Sequence, residues 1–359
     1  MRYELSTRRT LILRGPATID LLAGQATILG APFTLHRTRN VAEQRQLPIE
    51  TESHAEFEIV LGNSGQASEI QGSTIPASWK RAAAALKEMG EGKVIVLGPT
   101  DAGKSTLCTY LVNQLLNQVH NLRLIDADVG QTDLGPPTTI ARATPPHPIA
   151  FLSELTPDAR FFIGHTSPSY VQRKLIRGIE RLAGNGDRSL TIINTDGWIA
   201  ERDAILYKLD LITDVDPELV LGLGRGDELQ QILAGVQIHS MIIEAAEDAL
   251  KRSRGDRRSV RVRSYQRFLE GATIRRVPLR GIQLSLPVHL PSVTMQDSRR
   301  LRNLIVGLLD EGDYLMDIGI LMSVEWDALR IYSKTAARFC KIEVGYVRLS
   351  TSGREIGFF

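Results

Sequence analysis

The stretch that most constrains this chain is Gly98, Pro99, Thr100, Asp101, Ala102, Gly103, Lys104, Ser105 and Thr106. It lies between the apolar run Val94–Leu97 and a series, Leu107, Leu111, Leu115 and Val119, on helical spacing. A strand that breaks into glycines and re-enters a helix can wrap its backbone N–H groups around an anion, since glycine alone permits so close an approach. The spacing Gly98-x4-Gly103-Lys104-Ser105 reads as a phosphate-binding loop. Lys104 then reaches the β- and γ-phosphates of a nucleotide, the Ser105 hydroxyl takes Mg²⁺, and the helix dipole lies under the phosphates.

The surrounding pattern agrees with an α/β fold. From about residue 79 to 250, apolar runs alternate with helical patterns: Leu122–Asp126, Phe161–Ile163, a helix from Pro168 to about Leu182, Leu190–Asn194, helices near Ala200–Ile212 and Glu228–Leu233, and Leu219–Leu223. Such alternation predicts parallel strands with helices on both faces and a ligand at the strands' carboxyl ends. Before it, the runs Thr10–Arg14, Ala17–Asp20, Gln25–Leu29 and Glu56–Leu61, punctuated by glycines, predict a small antiparallel β domain over 1–78. After it, runs such as Ile282–Leu286, Ile318–Ser323, Ala328–Tyr332 and Lys341–Leu349 predict a β-rich domain over 271–359, leaving 79–270 as the nucleotide-binding domain. At 359 residues the chain is long enough for two or three such domains.

Because ligands gather where strands end, the residues after each strand are the candidates. After Leu122–Ile125 come Asp126, Asp128 and Gln131. An acidic residue there is the usual partner of a phosphate loop, holding the metal or its waters. Two carboxylates exceed that need, so one is available to accept the proton of an attacking hydroxyl, unless it only caps a turn. After Phe161–Ile163, His165, Thr166 and Ser167 precede a predicted helix. They either cap it or hold a second anion. After Leu190–Asn194, Thr195, Gly197 and Trp198 place an indole at a strand's end, where it stacks on a base or packs at the domain's edge.

Charge is informative only locally. The formal net charge is +2, which creates no global field. Between 251 and 280, however, eleven basic residues face only Asp256 and Glu270. Arg257, Arg258 and Arg261 share one face if that segment is helical. Arginines there neutralise a transferring phosphoryl group, pin nucleic-acid phosphates, or simply solvate a helix. The two cysteines, Cys108 and Cys340, are far apart and lack metal-ligand spacing, which argues against a disulfide framework or structural zinc. The charged first ten residues and the lack of any apolar run of membrane length predict a cytoplasmic protein with no membrane partner.

Together, the phosphate loop, Asp126-x-Asp128-x-x-Gln131, Thr195-x-Gly197-Trp198 and the later arginines resemble, in that order, the RNA 5′-hydroxyl polynucleotide kinases, the family of the kinase subunit of the mRNA cleavage factor and its archaeal-type relatives. The resemblance implies a P-loop kinase domain between β-rich flanks. It implies transfer of the γ-phosphate of ATP, with Mg²⁺, to 5′-hydroxyl ends of RNA and often DNA. Residue by residue, it implies that Gly98–Thr106 bind ATP and that Asp128 is the general base. Asp126 and Gln131 support metal or water, Thr195, Gly197 and Trp198 clasp the acceptor, and Arg257, Arg258 and Arg261 form a lid over the phosphates. Two other readings stay open: a small-molecule kinase and a non-catalytic ATP-bound scaffold in an RNA-processing complex. A GTPase is disfavoured, because the chain contains no Asn-Lys dipeptide for reading guanine.

Overall fold

In the computed structural model, which describes residues 1–184, 188–246, 250–287, 298–335 and 338–359, the run ahead of the phosphate loop is the strand Gly92–Leu97. Val94 to Leu97 are all fully buried. A parallel strand covered on both faces has no solvent side, so it is written as continuous Val, Ile and Leu. By its contacts the chain forms two units. The first comprises Met1–Leu124, Thr144–Thr156 and Gly186–Asp256, and the second comprises Ile125–Ala143, Pro157–Asn185 and Arg257–Phe359.

In the first unit the loop strand pairs in parallel with Leu190–Thr195 on one side and Leu219–Leu223 on the other, and the latter pairs in parallel with Ser240–Ile243. The sheet order places the strand Leu122–Ala127, whose first three residues belong to this unit, beyond Leu190–Thr195. The loop strand is therefore central, and the loop leaves the sheet at its carboxyl edge. The helix Lys104–Leu115 follows, with Leu107, Leu111 and Leu115 buried and its middle turn, Leu107 to Val112, buried all round. It ends four residues earlier than the leucine and valine spacing predicts, because Leu116 leaves helical geometry and Asn117 turns left-handed at φ 64°. Helix Ala77–Met89 packs beside it through Trp79 and Tyr110, whose ring centroids are 5.7 Å apart. Residues 2 to 71 form two antiparallel sheets. These include the predicted strands and further ones, such as Gln46–Thr51 and Gln66–Gln71, whose mixed polar composition hid them.

In the second unit Ala159–Phe162 pairs antiparallel with Thr139–Ala143, a correction to the expected all-parallel order. The segment between them contains no crossover helix, only the single 3₁₀ turn Leu152–Glu154, so the chain folds straight back. The same unit contains helix Gln172–Ala183, the arginine helix Arg254–Leu269 from Arg257 on, and a mixed sheet. That sheet is built on Leu304–Leu309, Leu315–Val324, Ala328–Ser333 and Lys341–Leu349, with Glu355–Phe358 added at Lys341–Leu349. Tyr265, Leu269, Phe162 and Ile305 share its core. This is the expected α/β class with β-rich flanks. Among the described residues no helix is long and apolar enough to cross a membrane.

Candidate functional site

The phosphate loop is built by geometry that only glycine supplies. Gly103 caps the helix Lys104–Leu115 in the left-handed region, φ 95°, with no side-chain cap. The first-turn N–H groups of the helix therefore lack a side-chain acceptor and suit an anion. Lys104 is 7% exposed, and its Nζ donates to the carbonyls of Gly98 at 3.0 Å and Pro99 at 2.9 Å. Its charge is thus curled into the loop it serves. The Ser105 hydroxyl accepts from Asn194 Nδ2 at 3.3 Å, and Asp101 accepts from the Arg252 backbone N–H at 3.0 Å.

In the same unit the turn after Leu190–Thr195 is held against the loop. The Thr100 hydroxyl donates to the Gly197 carbonyl at 3.4 Å. A Cβ on Gly197 would lie 2.5 Å from the Thr100 backbone nitrogen, so any larger residue would force the two turns apart. Thr195 is fully buried and its hydroxyl donates to the Val96 carbonyl at 2.8 Å. It locks this turn to the loop strand.

Beneath Trp198 lies a buried ionic network that sequence reasoning missed. Asp196 Oδ2 accepts from the Tyr207 hydroxyl at 2.9 Å and from Lys208 Nζ at 2.9 Å, and Lys208 is completely buried. Asp196 Oδ1 accepts the Trp198 backbone N–H at 3.0 Å. The half-buried indole stacks on Tyr207, with centroids 6.0 Å apart and planes 26° apart, and its Nε1 donates to Glu201 at 3.3 Å. Tyr207 and Lys208 lie inside an ordinary-looking amphipathic helix, Arg202–Val215, where nothing local marks them. Removing one partner of such a pair strands a buried charge. Lys208→Met is accordingly expected to cost roughly 3–5 kcal/mol of stability, read as a fall in the urea unfolding midpoint. An unchanged midpoint would mean that Asp196 has water to replace the lysine.

In the second unit Asp126 is 1% exposed. Its Oδ2 accepts from the Thr132 hydroxyl at 3.0 Å and from the backbone N–H groups of Asp133 and Leu134 at 2.6 and 3.3 Å. Burial first, and the nearby Asp133 charge second, push its carboxyl up to about 7. A cation placed beside it would favour the ionised form. Asp128 is half-buried, and its Oδ1 accepts from the N–H groups of Gly130 and Gln131 at 3.2 and 3.0 Å, closing an Asx turn that fixes the carboxylate. Gln131 Nε2 donates to the Arg257 carbonyl at 3.4 Å, while its Oε1 is buried with no hydrogen-bond partner. A buried oxygen left without a donor fits a hard cation or its water shell, so Asp126 and Gln131 suit Mg²⁺. Among the described residues no group of three or more His, Cys, Asp or Glu forms a metal cluster. Mg²⁺ does not require one, since it keeps waters and substrate oxygens.

The arginines are indeed helical, on Arg254–Leu269, but they are not equivalent. Arg261 clasps the buried carboxylate of Glu355 through Nε and Nη2 at 2.6 and 2.9 Å, and Arg258 Nη2 donates to the Glu355 carbonyl at 2.6 Å. Burial opposes the Arg261 charge, but the Glu355 pair, followed by Tyr265 and then the Asp128 charge, outweighs it and raises its pKa. Both arginines therefore tie their helix to the strand Glu355–Phe358. Glu355 lies almost a hundred positions away in sequence, and its exposed-looking context gave no sign of this.

The turn after Ala159–Phe162 is shaped by His165. The imidazole is 6% exposed and stacks on Phe358 at 5.2 Å and against Tyr170 at 4.7 Å; its Nδ1 accepts the Ser167 backbone N–H at 2.9 Å. Burial pushes its pKa down, in keeping with a neutral ring that holds this turn. Ser167 makes no side-chain cap bond to the 3₁₀ turn Pro168–Tyr170, and its hydroxyl pairs with that of Ser169 at 2.9 Å instead. The regular helix begins only at Gln172. Thr166 is half-buried beside it.

Comparison with known proteins follows the same lines. Residues 98–271 match the family described as mRNA cleavage and polyadenylation factor CLP1 P-loop. The chain is 27% identical over 318 residues to a polyribonucleotide 5′-hydroxyl-kinase of Pyrococcus furiosus, covering 74% of this chain and 90% of that one. It is 25% identical over 322 residues to a polyribonucleotide 5′-hydroxyl-kinase of Methanocaldococcus jannaschii, covering 74% and 89%. The fold matches wild-type Clp1p, solved in complex with Pcf11p, at a TM-score of 0.73 and 13% identity over 97% of each chain.

Proposed function

We propose, from the similarity of residues 98–271 to the CLP1 P-loop family and of most of the chain to polyribonucleotide 5′-hydroxyl-kinases, that it is a polynucleotide 5′-hydroxyl kinase transferring the γ-phosphate of ATP to the 5′-hydroxyl of RNA. We extend the reading to DNA ends, as the resemblance to the polynucleotide 5′-hydroxyl kinases implies. The observation that carries this reading is the seating of the turn Thr195–Trp198 on the phosphate loop, with Thr100 bonded to Gly197. A stacking indole one residue from that contact suits an acceptor that bears a base, and a small-molecule acceptor has no use for it.

The roles follow from the environment of each residue. Lys104, the backbone of Gly98–Thr106 and the helix N-terminus hold the β- and γ-phosphates, and Ser105, Asp126 and Gln131 supply oxygens for Mg²⁺. When bound, that ion neutralises developing phosphate charge. Asp126 is too buried and too fully engaged by the 132–134 turn to meet a substrate hydroxyl. Asp128 is half-exposed and oriented by its turn, and takes the acceptor's proton. Arg257 neutralises the transferring phosphoryl group, while Arg258 and Arg261 anchor the helix that bears it. Thr166 and Ser167 receive an acceptor phosphate. Trp198 stacks the acceptor base, and Thr195 and Gly197 set its turn.

Labelled γ-phosphate transfer to matched RNA and DNA oligonucleotides with 5′-hydroxyl ends, against 5′-phosphorylated controls, tests the reading. Label on hydroxyl ends alone supports it; ATP binding with no label on either acceptor overturns it in favour of a scaffold. Trp198→Ala is expected to weaken the acceptor by about 1–3 kcal/mol while leaving ATP affinity unchanged. Equal acceptor KM in the variant would remove the stacking role.

A further inference from the structure

The second unit holds a cavity of about 890 Å³ that none of these roles uses. One wall is the outer face of helix Gln172–Ala183, whose inner face, Leu175, Ile176, Ile179 and Leu182, is buried. The outer face presents Arg173, Arg177 and Arg181 to the cavity, all exposed. Their i, i+4, i+8 spacing sets them about 6 Å apart along the axis, a step comparable to that between successive phosphates of an extended single strand. The lining also includes the polar Gln283 and Lys341 and the apolar Phe161, Leu309 and Val344.

The charge balance in this groove favours an anionic chain. Of its three acids, Glu343 is held by Lys174 at 2.5 Å and Asp313 by Lys341 at 2.5 Å. Among the described lining residues Glu180 is the remaining acid beside the three arginines. Arg181 donates to the Gly312 carbonyl and lies over the Tyr314 ring at 5.2 Å, which fixes its direction. At the amino end of the arginine row, Tyr170 is 77% exposed yet backed by His165, which is itself stacked on Phe358. A rigidly backed, exposed ring is a stacking platform. It lies between the Thr166–Ser167 turn and the first arginine, so the sequence turn, ring, Arg173, Arg177, Arg181 forms a track leading away from that turn.

We propose that this groove is an extended binding track for single-stranded polynucleotide, taking the nucleotides that follow the phosphorylated end, with Tyr170 stacking a base and the arginine row contacting phosphates. This inference rests on the polynucleotide kinase reading. The test compares 5′-hydroxyl RNA acceptors of two and ten nucleotides in the full chain, alongside fluorescence-anisotropy binding of the ten-nucleotide RNA without ATP over a salt series.

The native protein is expected to show a KM about tenfold lower for the longer acceptor. The double variant Arg173→Ala/Arg177→Ala should erase that advantage while leaving kcat and the dinucleotide KM unchanged. It should also flatten the salt dependence of binding by roughly 1.4 in the log–log slope, two phosphates at about 0.7 each. Tyr170→Ala should lose part of the advantage, and Arg177→Lys should retain most of it. Equal KM for both lengths in the native protein would overturn the track while leaving the kinase reading intact, and so would variants that weaken both acceptors alike or neither; a protein partner would then be the occupant to seek. Salt-sensitive binding of the longer RNA that the double variant weakens, with no transfer by any form, would uphold the track and remove the kinase reading.

Discussion

Lys104→Ala is expected to abolish transfer of labelled γ-phosphate to 5′-hydroxyl RNA while leaving the thermal midpoint near that of the native chain. The side chain is nearly buried, and its ammonium donates to the carbonyls of Gly98 and Pro99. Those carbonyls belong to the same short loop, so the hydrogen bonds lost to them are local. Its value is electrostatic: phosphoryl transfer asks the protein mainly to position groups and to neutralise charge on the equatorial oxygens. A preorganised donor aimed at developing charge in a water-poor site is commonly worth about 10²–10³ in rate, and the loop lysine combines that with binding of the donor. Lys104→Arg should not rescue, because a planar fork cannot replace a compact ammonium between two carbonyls. Transfer by Lys104→Ala within tenfold of the native rate would mean that the loop does not hold the reacting phosphate.

How much of this could be read from the chain depends on how local each cause is. The loop was legible because its function needs glycine at fixed spacing, and Gly103 indeed adopts a left-handed φ of 95°. The central strands were legible because burial on both faces leaves only apolar residues. Ala159–Phe162 was found, but its direction was not, because direction depends on the connection to Thr139–Ala143, which carries no apolar alternation of its own. The carboxylate turn was visible as a cluster of acids. Its division of labour was not: Asp126 and Asp128 differ in burial and turn partners, which are tertiary facts. The same holds for the arginines. Helical spacing put Arg257, Arg258 and Arg261 on one face, but the bidentate clasp of Arg261 on Glu355 joins positions far apart in sequence. Lys208 was the least legible, since a lysine on a helix is ordinarily a solvated charge and only the fold reveals that this one is fully buried against Asp196.

That division of labour makes Asp128→Asn the sharpest test of the chemistry. Asparagine keeps an oxygen that can accept the Gly130 and Gln131 N–H groups, so the Asx turn should survive. The amide cannot take a proton, however, and positioned proton transfer contributes roughly 10²–10⁴-fold. The expected result is a fall in kcat of at least about 10²-fold, with ATP affinity and the acceptor KM little changed. A loss confined to KM would instead mean that Asp128 binds the acceptor without accepting its proton. Normal turnover would remove the base assignment altogether and pass it to Asp126, whose carboxyl is held above the usual carboxylate range by burial and then by Asp133 but lacks access in the fold. Asp126→Asn decides between them. If Asp126 serves the metal, that variant should shift the Mg²⁺ concentration needed for half-maximal rate, and added Mg²⁺ should recover part of the activity; if it is the base, no concentration of Mg²⁺ should restore it.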